Sequence, residues 1–144
     1  MMKQGFSLIE LLVVVAIIGV LAGIGGFSYV SYVDSTRVSV SEQQASMLDR
    51  MLKTEAVAVA VGSGSGSGCV SGDTVLNCAQ ILLGTADLEN PFSDFGQPVF
   101  TNAPDCTVRG DMLIDESVES LQIQELRESY QVVTACTSDE LPTP

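Results

Sequence analysis

The chain has no histidine, few basic residues and no lysine after its Gly-Ser repeats. Ser-His-Asp and Cys-His sites both need an imidazole as general base, so the sequence excludes them. The missing lysine excludes a phosphate-binding P-loop. A pair of carboxylates could serve a glycosidase, but no pattern typical of a substrate cleft accompanies the acids. We therefore expect no enzyme activity, no catalytic residues and no cofactor.

Positive charge is scarce throughout, with 6 Lys or Arg residues against 18 Asp or Glu residues and a net charge of -12. From Cys69 onward there are thirteen acidic residues and only two basic ones, Arg109 and Arg127, so the net charge of this segment is about −11. Such a surface repels phosphate backbones, and nucleic-acid binding normally needs a basic patch. Direct nucleic-acid binding by this segment is not expected.

Metal binding has little support in the sequence. Zinc sites favour histidine and Cys-x-x-Cys pairs, and the chain has neither. Calcium prefers carboxylate oxygens, which the acidic cluster offers. That cluster lacks the order of an EF-hand loop, so we interpret it as solvated surface charge and expect no metal site. Its members are Asp111, Asp115, Glu116 and Glu119.

One long apolar run, from Phe6 to Val33, dominates the first quarter of the chain. As a helix it would measure roughly 42 Å, against a bilayer hydrocarbon core of about 30 Å. It is too long for the apolar region of a signal peptide and has no small-residue cleavage site on its far side. We predict a membrane-spanning helix. Lys3 is the positive charge next to this helix, so the positive-inside rule predicts that the residues before the apolar run lie in the cytoplasm and the rest of the chain outside it.

Glu10 is the only residue in this run that is charged at neutral pH. A charged side chain in the bilayer centre costs roughly 2.5 to 3.5 kcal/mol on translocon-based scales, so such residues are rare and usually functional. Glu10 should therefore have a partner that compensates this cost.

The segment from Gly5 to Ala22 closely resembles the prepilin signal of type IV pilins and type II secretion pseudopilins. A short basic leader ends in Gly5, an aromatic Phe6 follows, and Glu10 stands five positions into the remaining chain. The resemblance implies cleavage between Gly5 and Phe6 by a prepilin peptidase, which also N-methylates Phe6. It further implies that Glu10 pairs with the Phe6 amine of a neighbouring subunit during assembly.

Further partners follow from the same resemblance. They are copies of the chain and related pilins in a helical filament, and an inner-membrane assembly platform with its ATPase. The chain would first be a single-pass protein of the cytoplasmic membrane with its head outside. After assembly it would lie in an extracellular pilus or a periplasmic pseudopilus.

Four cysteines lie beyond the apolar run, and an even number outside the cytoplasm indicates disulfides. Three connectivities are possible. We favour Cys69 with Cys78, which closes a short loop, and Cys106 with Cys136, which resembles the disulfide-bounded C-terminal region of many pilins.

We divide the chain into a leader (1–5), a membrane and filament-core helix (6–33), an amphipathic continuation (34–61), a Gly/Ser linker (62–68) and an acidic head (69–144). Within the continuation, an apolar stripe should pack on the head: Leu48, Met51 and Leu52. Its charged residues should be mostly solvated: Asp49, Arg50, Lys53 and Glu55. The alternating segment 56–61 fits either a helix or a strand, and we favour a helix for its first part.

In the head we predict a short helix over 77–83 that Gly84 stops, and strands over 107–114, 117–124 and 129–136. Residues 90–100 should form turns leading into a strand, and they loosely resemble an Asp-Pro-Trp-Gly-x-Pro-Tyr stretch of pseudopilins and related pilins, without its tryptophan. The fold class is therefore α+β and pilin-like, with a long N-terminal helix on a small antiparallel sheet.

Two pairs of glycines in the apolar run bear on assembly: Gly19 with Gly23, and Gly25 with Gly26. The first pair has the spacing that lets membrane helices approach closely, and the second weakens the helix locally. Many pilins unwind here at a proline, but this chain has Phe27 at that position. Local melting and ordinary use of glycine in a membrane helix both remain open.

The preferred function is a structural subunit of a type IV pilus-like filament for adhesion, motility or DNA uptake. A pseudopilin of a type II secretion system shares the same motif, and a minor pilin is a further alternative. A monomeric membrane-anchored binding module belongs to a different class and would keep its leader.

Overall fold

The computed structural model describes residues 6–63, 66, 68–93, 99, 106, 108–127 and 129–137. It divides the chain into two compact units, Met1–Thr36 and Arg37–Pro144. Helix α1 (Leu8–Ala60) begins in the first unit and ends in the second. The second unit also contains α2 (Val75–Ala86), β1 (Met112–Ile114), α3 (Glu116–Glu119), a 3-10 turn (Ile123–Glu125) and β2 (Val133–Ala135).

The second unit has a core built on one face of α1. Leu48 and Leu52 are almost fully buried there, at 1% and 0% exposure, and Met51 packs at the edge of the core. The spacing of these residues keeps them on one side of a helix with 3.6 residues per turn. The apolar stripe predicted from the sequence is therefore confirmed. The alternating segment that follows is helical up to Ala60, so the strand interpretation of its first part is wrong.

Polar side chains of α1 also contact the head, contrary to the prediction that they are mostly solvated. Asp49 is half-buried, accepts a hydrogen bond from the Val132 N–H at 3.1 Å and pairs with Lys53 at 2.7 Å. Glu55 is half-buried as well, and only Arg50 of the four charged residues is exposed. The carboxylate of Asp49 satisfies a backbone donor that would otherwise lie unpaired at the edge of the core.

Helix α2 is longer than predicted at both ends. The Thr74 hydroxyl caps its start by accepting a hydrogen bond from the Asn77 N–H at 3.2 Å. Gly84 lies inside the helix and does not stop it, because Asp87 ends it instead in a left-handed conformation (φ 48°). The inward face of α2 is apolar: Val75, Cys78, Ala79, Leu82 and Leu83.

The sheet has two short antiparallel strands, β1 and β2, in which Leu113 pairs with Thr134. The strands predicted over 107–114 and 129–136 contain β1 and β2, but both predictions are too long. Residues 108–110 form a turn, and Thr107 lies outside the described residues. Each strand pairs along one edge only, which limits its length.

The strand predicted over 117–124 is wrong. This segment forms α3 and the 3-10 turn, and its buried residues Val118 and Ile123 face the core from these two elements. Its backbone pairs with the start of α2, where the Val75 N–H donates to Leu121 O at 2.9 Å. Asp115 caps α3, and hydrogen bonds from the Ser117 hydroxyl and N–H lower the pKa of its carboxyl.

Two disulfides join Cys69 to Cys78 and Cys106 to Cys136, the same two pairs that the sequence favours. The first attaches the end of the Gly/Ser segment to α2, and the second attaches Cys106 to the end of β2. Covalent links of this kind restrict the unfolded chain and suit a head too small for a large core.

A buried asparagine organises the loop before β1. Asn90 is 5% exposed, donates to Arg109 O at 3.0 Å and accepts from the Phe92 N–H at 2.9 Å. Gly110 lies against it with φ +93°, and a Cβ there would collide with the Asn90 amide. Residues 90–100 were predicted to form turns leading into a strand, and of these residues 94–98 and 100 lie outside the described part of the chain.

Replacing Leu52 by Ala should lower the free energy of unfolding by about 2 to 5 kcal/mol, because it leaves a cavity between α1 and the head. Urea denaturation of the full chain in detergent would measure this loss. Val57→Ala is the matched control on the same helix, since Val57 is 56% exposed, and it should change stability by less than about 0.5 kcal/mol. Equal losses in both variants would contradict the packing described for α1.

Gly110→Ala should destabilise the head by roughly 1 to 3 kcal/mol, because it combines a positive φ with a collision at Asn90. Gly84→Ala provides the control: it lies inside α2 with no atom within 4 Å of the added carbon, and it should stabilise the helix by about 0.5 to 1 kcal/mol. Thermal unfolding of both variants, with the disulfides intact, would show opposite shifts. A shift in the same direction would overturn this explanation.

Candidate functional site

The N-terminal end of α1 carries an acidic side chain in its first turn. The Ser7 carbonyl accepts hydrogen bonds from the N–H groups of Glu10 and Leu11, at 3.0 and 3.2 Å. The Glu10 carboxylate in turn accepts from the Ser7 N–H at 3.4 Å. An acid in this position is stabilised by the unpaired N–H groups and the positive end of the helix dipole.

Glu10 nevertheless has no cationic partner among the described residues. Its side chain is exposed, and among the described residues its carboxylate accepts only the long hydrogen bond from the Ser7 N–H. Phe6 is 77% exposed and precedes the helix by two residues. The structure thus places both predicted residues at one exposed end of α1, where a group from another molecule can reach the carboxylate.

The surface around Glu10 is apolar and fully open to the surroundings. Large aliphatic residues cover every side of α1 from Leu8 to Ile24, with Leu8 at 81% and Leu21 at 64% exposure. By length and composition this is the one helix of the described residues able to cross a membrane, and its apolar stretch is not buried inside the protein. A helix that is apolar all round needs lipid or other helices for cover.

Tyrosines mark the far end of this apolar stretch, a feature that the predictions from sequence missed. Tyr29 and Tyr32 are 69% and 71% exposed and lie three residues apart. Tyrosine is enriched where membrane helices leave the hydrocarbon, because its ring is apolar and its hydroxyl needs water. The signal was present in the sequence as aromatic residues directly before Asp34.

Hydroxyl side chains in the same stretch bond to the helix itself. Ser28 donates to Ile24 O at 3.3 Å, and Thr36 donates to Tyr32 O at 2.9 Å. Such bonds satisfy a hydroxyl without a second helix, so these residues cost little in lipid.

The four glycines predicted to act in packing or melting all lie within α1: Gly19, Gly23, Gly25 and Gly26. No atom lies within 4 Å of a Cβ added at any of them, so contacts inside the chain do not require glycine there. A role in contacts between molecules, or in local melting, stays a prediction. Gly5, the predicted residue before the cleaved bond, lies outside the described residues.

The acidic cluster predicted from the sequence does not form one site. Asp111 is buried, at 5% exposure, and lies 3.4 Å from the Asn90 amide nitrogen, whereas Asp115 is engaged with Ser117 at the start of α3. Within the described part of the chain, no group of three or more His, Cys, Asp or Glu side chains is placed to hold a metal ion.

Comparison with known families gives one match. Residues 1–26 match the family described as the prokaryotic N-terminal methylation motif, which is the prepilin motif of type IV pilins and pseudopilins. The match covers the leader and the apolar half of α1, including Gly5, Phe6 and Glu10. No curated protein and no solved structure matches the chain. The match thus covers the N-terminal motif, and the described part of the chain adds a long apolar helix, a small antiparallel sheet and two disulfides, which together make a pilin-like α+β fold.

Proposed function

We propose that this chain, which carries the prepilin motif, is a structural subunit of a type IV pilus-like filament. The observation that carries the proposal is an exposed carboxylate in the first turn of α1, whose surface from Leu8 to Ile24 is apolar and exposed. That arrangement is costly for a single molecule in a membrane and becomes favourable when copies assemble.

The proposed assembly step is an ion pair between subunits. Cleavage after Gly5 creates a positive amine on Phe6, two residues before α1 begins. The Glu10 carboxylate of a neighbouring subunit can accept that amine, since both groups lie at the exposed end of α1. Two charges that are each costly in lipid become tolerable when paired, and the pair sets the axial register between subunits.

The apolar surface of α1 supplies the main driving force. Leaving the bilayer exposes no apolar area if the helix is reburied at once against the helices of other subunits. Gly19 and Gly23 allow close approach in that bundle, and Gly25 with Gly26 permits local adjustment of the helix. The division of the chain follows this scheme: leader (1–5), filament-core helix (6–33), amphipathic continuation (34–61), linker (62–68) and head (69–144).

The partners are those that the motif implies. A prepilin peptidase cleaves and methylates the chain, an inner-membrane platform and its ATPase drive assembly, and copies of the chain or related pilins form the filament. The chain is not itself an enzyme in this proposal. Its acidic heads coat the filament, so direct binding of nucleic acid by the head is not part of the function.

Glu10→Ala should leave the protein inserted in the membrane and cleaved, but should reduce the yield of sheared filaments by about tenfold or more, since the Phe6 amine loses its partner. Immunoblots of sheared and envelope fractions would measure this. Glu42→Ala, which removes an exposed acid further along α1, is the control and should assemble normally. A normal yield from Glu10→Ala would overturn the pairing step.

Mass spectrometry of sheared filaments should show this chain as a main component that begins at a methylated Phe6. A processed chain confined to the envelope would instead favour a pseudopilin or a minor pilin. A chain that still begins at Met1 or Met2 would overturn the proposal and favour a membrane-anchored binding module.

A further inference from the structure

Helix α1 has a second stripe, on the side turned away from the head. We call it the outer seam, and its residues follow one another at alternating steps of three and four: Val40, Gln43, Met47, Arg50, Thr54 and Val57. Val40, Met47 and Val57 are 36%, 48% and 56% exposed. This spacing is the one that keeps side chains in a single line along a helix contact.

The outer seam lies opposite the face that packs on the head. Successive residues are rotated by about 100°, which places Arg50 roughly 160° from both Leu48 and Leu52, and Met47 roughly 100° to 140° from them. An open groove runs beside the seam, lined partly by Met47, Arg50 and Thr54. The fold of the second unit therefore leaves this partly apolar side of α1 without an internal partner in the described residues.

Arg50 gives the outer seam its charge. Among the described residues its guanidinium makes no ion pair or hydrogen bond, whereas Lys53 pairs with Asp49 and Arg109 stacks on Phe92 at 4.2 Å. Glu55 lies at the edge of the groove, and its buried Oε2 accepts no hydrogen bond. Both groups would gain from a partner that brings acceptors to Arg50 and a donor to Glu55.

Pairing of one outer seam with another is disfavoured. Arg50 stands near the middle of the seam, so parallel and antiparallel pairs both bring two guanidinium groups together in a contact that excludes water. The head offers the opposite charge, about −11 from Cys69 onward. A seam-to-head contact joins two different surfaces, and repeated contacts of this type form open helical arrays instead of closed dimers.

We propose that the outer seam of each subunit binds the acidic head surface of a second copy of the chain, with Arg50 as the residue that selects it. The proposal rests on the filament function above and adds a contact outside the apolar core. The apolar seam residues supply buried area, and Arg50 pairs with head carboxylates and fixes the orientation.

The test is a charge reversal in the full chain. Arg50→Glu should reduce the yield of sheared filaments by about tenfold, the change expected for loss of one close ion pair between subunits. Glu42→Lys is the matched control, because Glu42 is an exposed charged residue of the same helix outside both the seam and the head, and it should leave the yield unchanged. Arg50→Lys keeps the charge and should restore most of the yield. Unchanged thermal unfolding of the detergent-solubilised variants would exclude a folding defect.

A second measurement identifies the partner surface. Filaments of the Arg50→Lys variant would be treated with a carbodiimide, which joins amines to carboxylates in direct contact, after mixing isotope-labelled and unlabelled subunits. Links from position 50 to a residue between 69 and 144 of another subunit are expected. Links only to carboxylates of α1 would overturn the proposal.

The outcomes separate this proposal from the function on which it rests. Absence of filaments from the unsubstituted chain would overturn both. Normal filaments from Arg50→Glu, or an equal loss in Glu42→Lys, would overturn the outer-seam contact and leave the pilin function intact.

Discussion

The apolar surface of α1 between Leu8 and Ile24 determines how this protein can exist, because no part of the described chain covers it. The hydrophobic effect makes contact between this surface and water unfavourable, so the surface must be covered by lipid or by other helices. Residues 1–26, which match the prokaryotic N-terminal methylation motif, include both this surface and Glu10. The proposed function meets this need for cover, since the helix lies in the bilayer before assembly and is buried among identical helices afterwards.

The second half of α1 has a different structural role. From Arg37 onward the helix belongs to the same compact unit as the head, where it supplies Leu48 and Leu52 to the core and Asp49 to the backbone of Val132. Two disulfides and the buried Asn90 hold loops that two short strands cannot stabilise alone. A single helix thus has an exposed apolar surface in one unit and a packed face in the other.

Charge adds specificity to these contacts. Glu10 is an acid in an apolar surface, and Arg50 is a cation on the exposed side of a helix whose head is strongly acidic. Neither side chain forms an ion pair with another described residue of the same molecule. Such arrangements contribute little to the stability of the monomer, but they favour one geometry of assembly over others.

The sequence by itself determined the membrane-length helix, the candidate cleavage and assembly residues, the apolar stripe and the α+β class, because these depend on local composition and helical periodicity. It was wrong about residues 117–124, about the end of α2 at Gly84 and about the solvation of Asp49. Two of these features depend on contacts between distant segments, since the Val75 N–H donates to Leu121 O and the Val132 N–H donates to Asp49. The third depends on the left-handed backbone conformation of Asp87. The tertiary structure alone decided which side of α1 the head covers, and hence which side stays open.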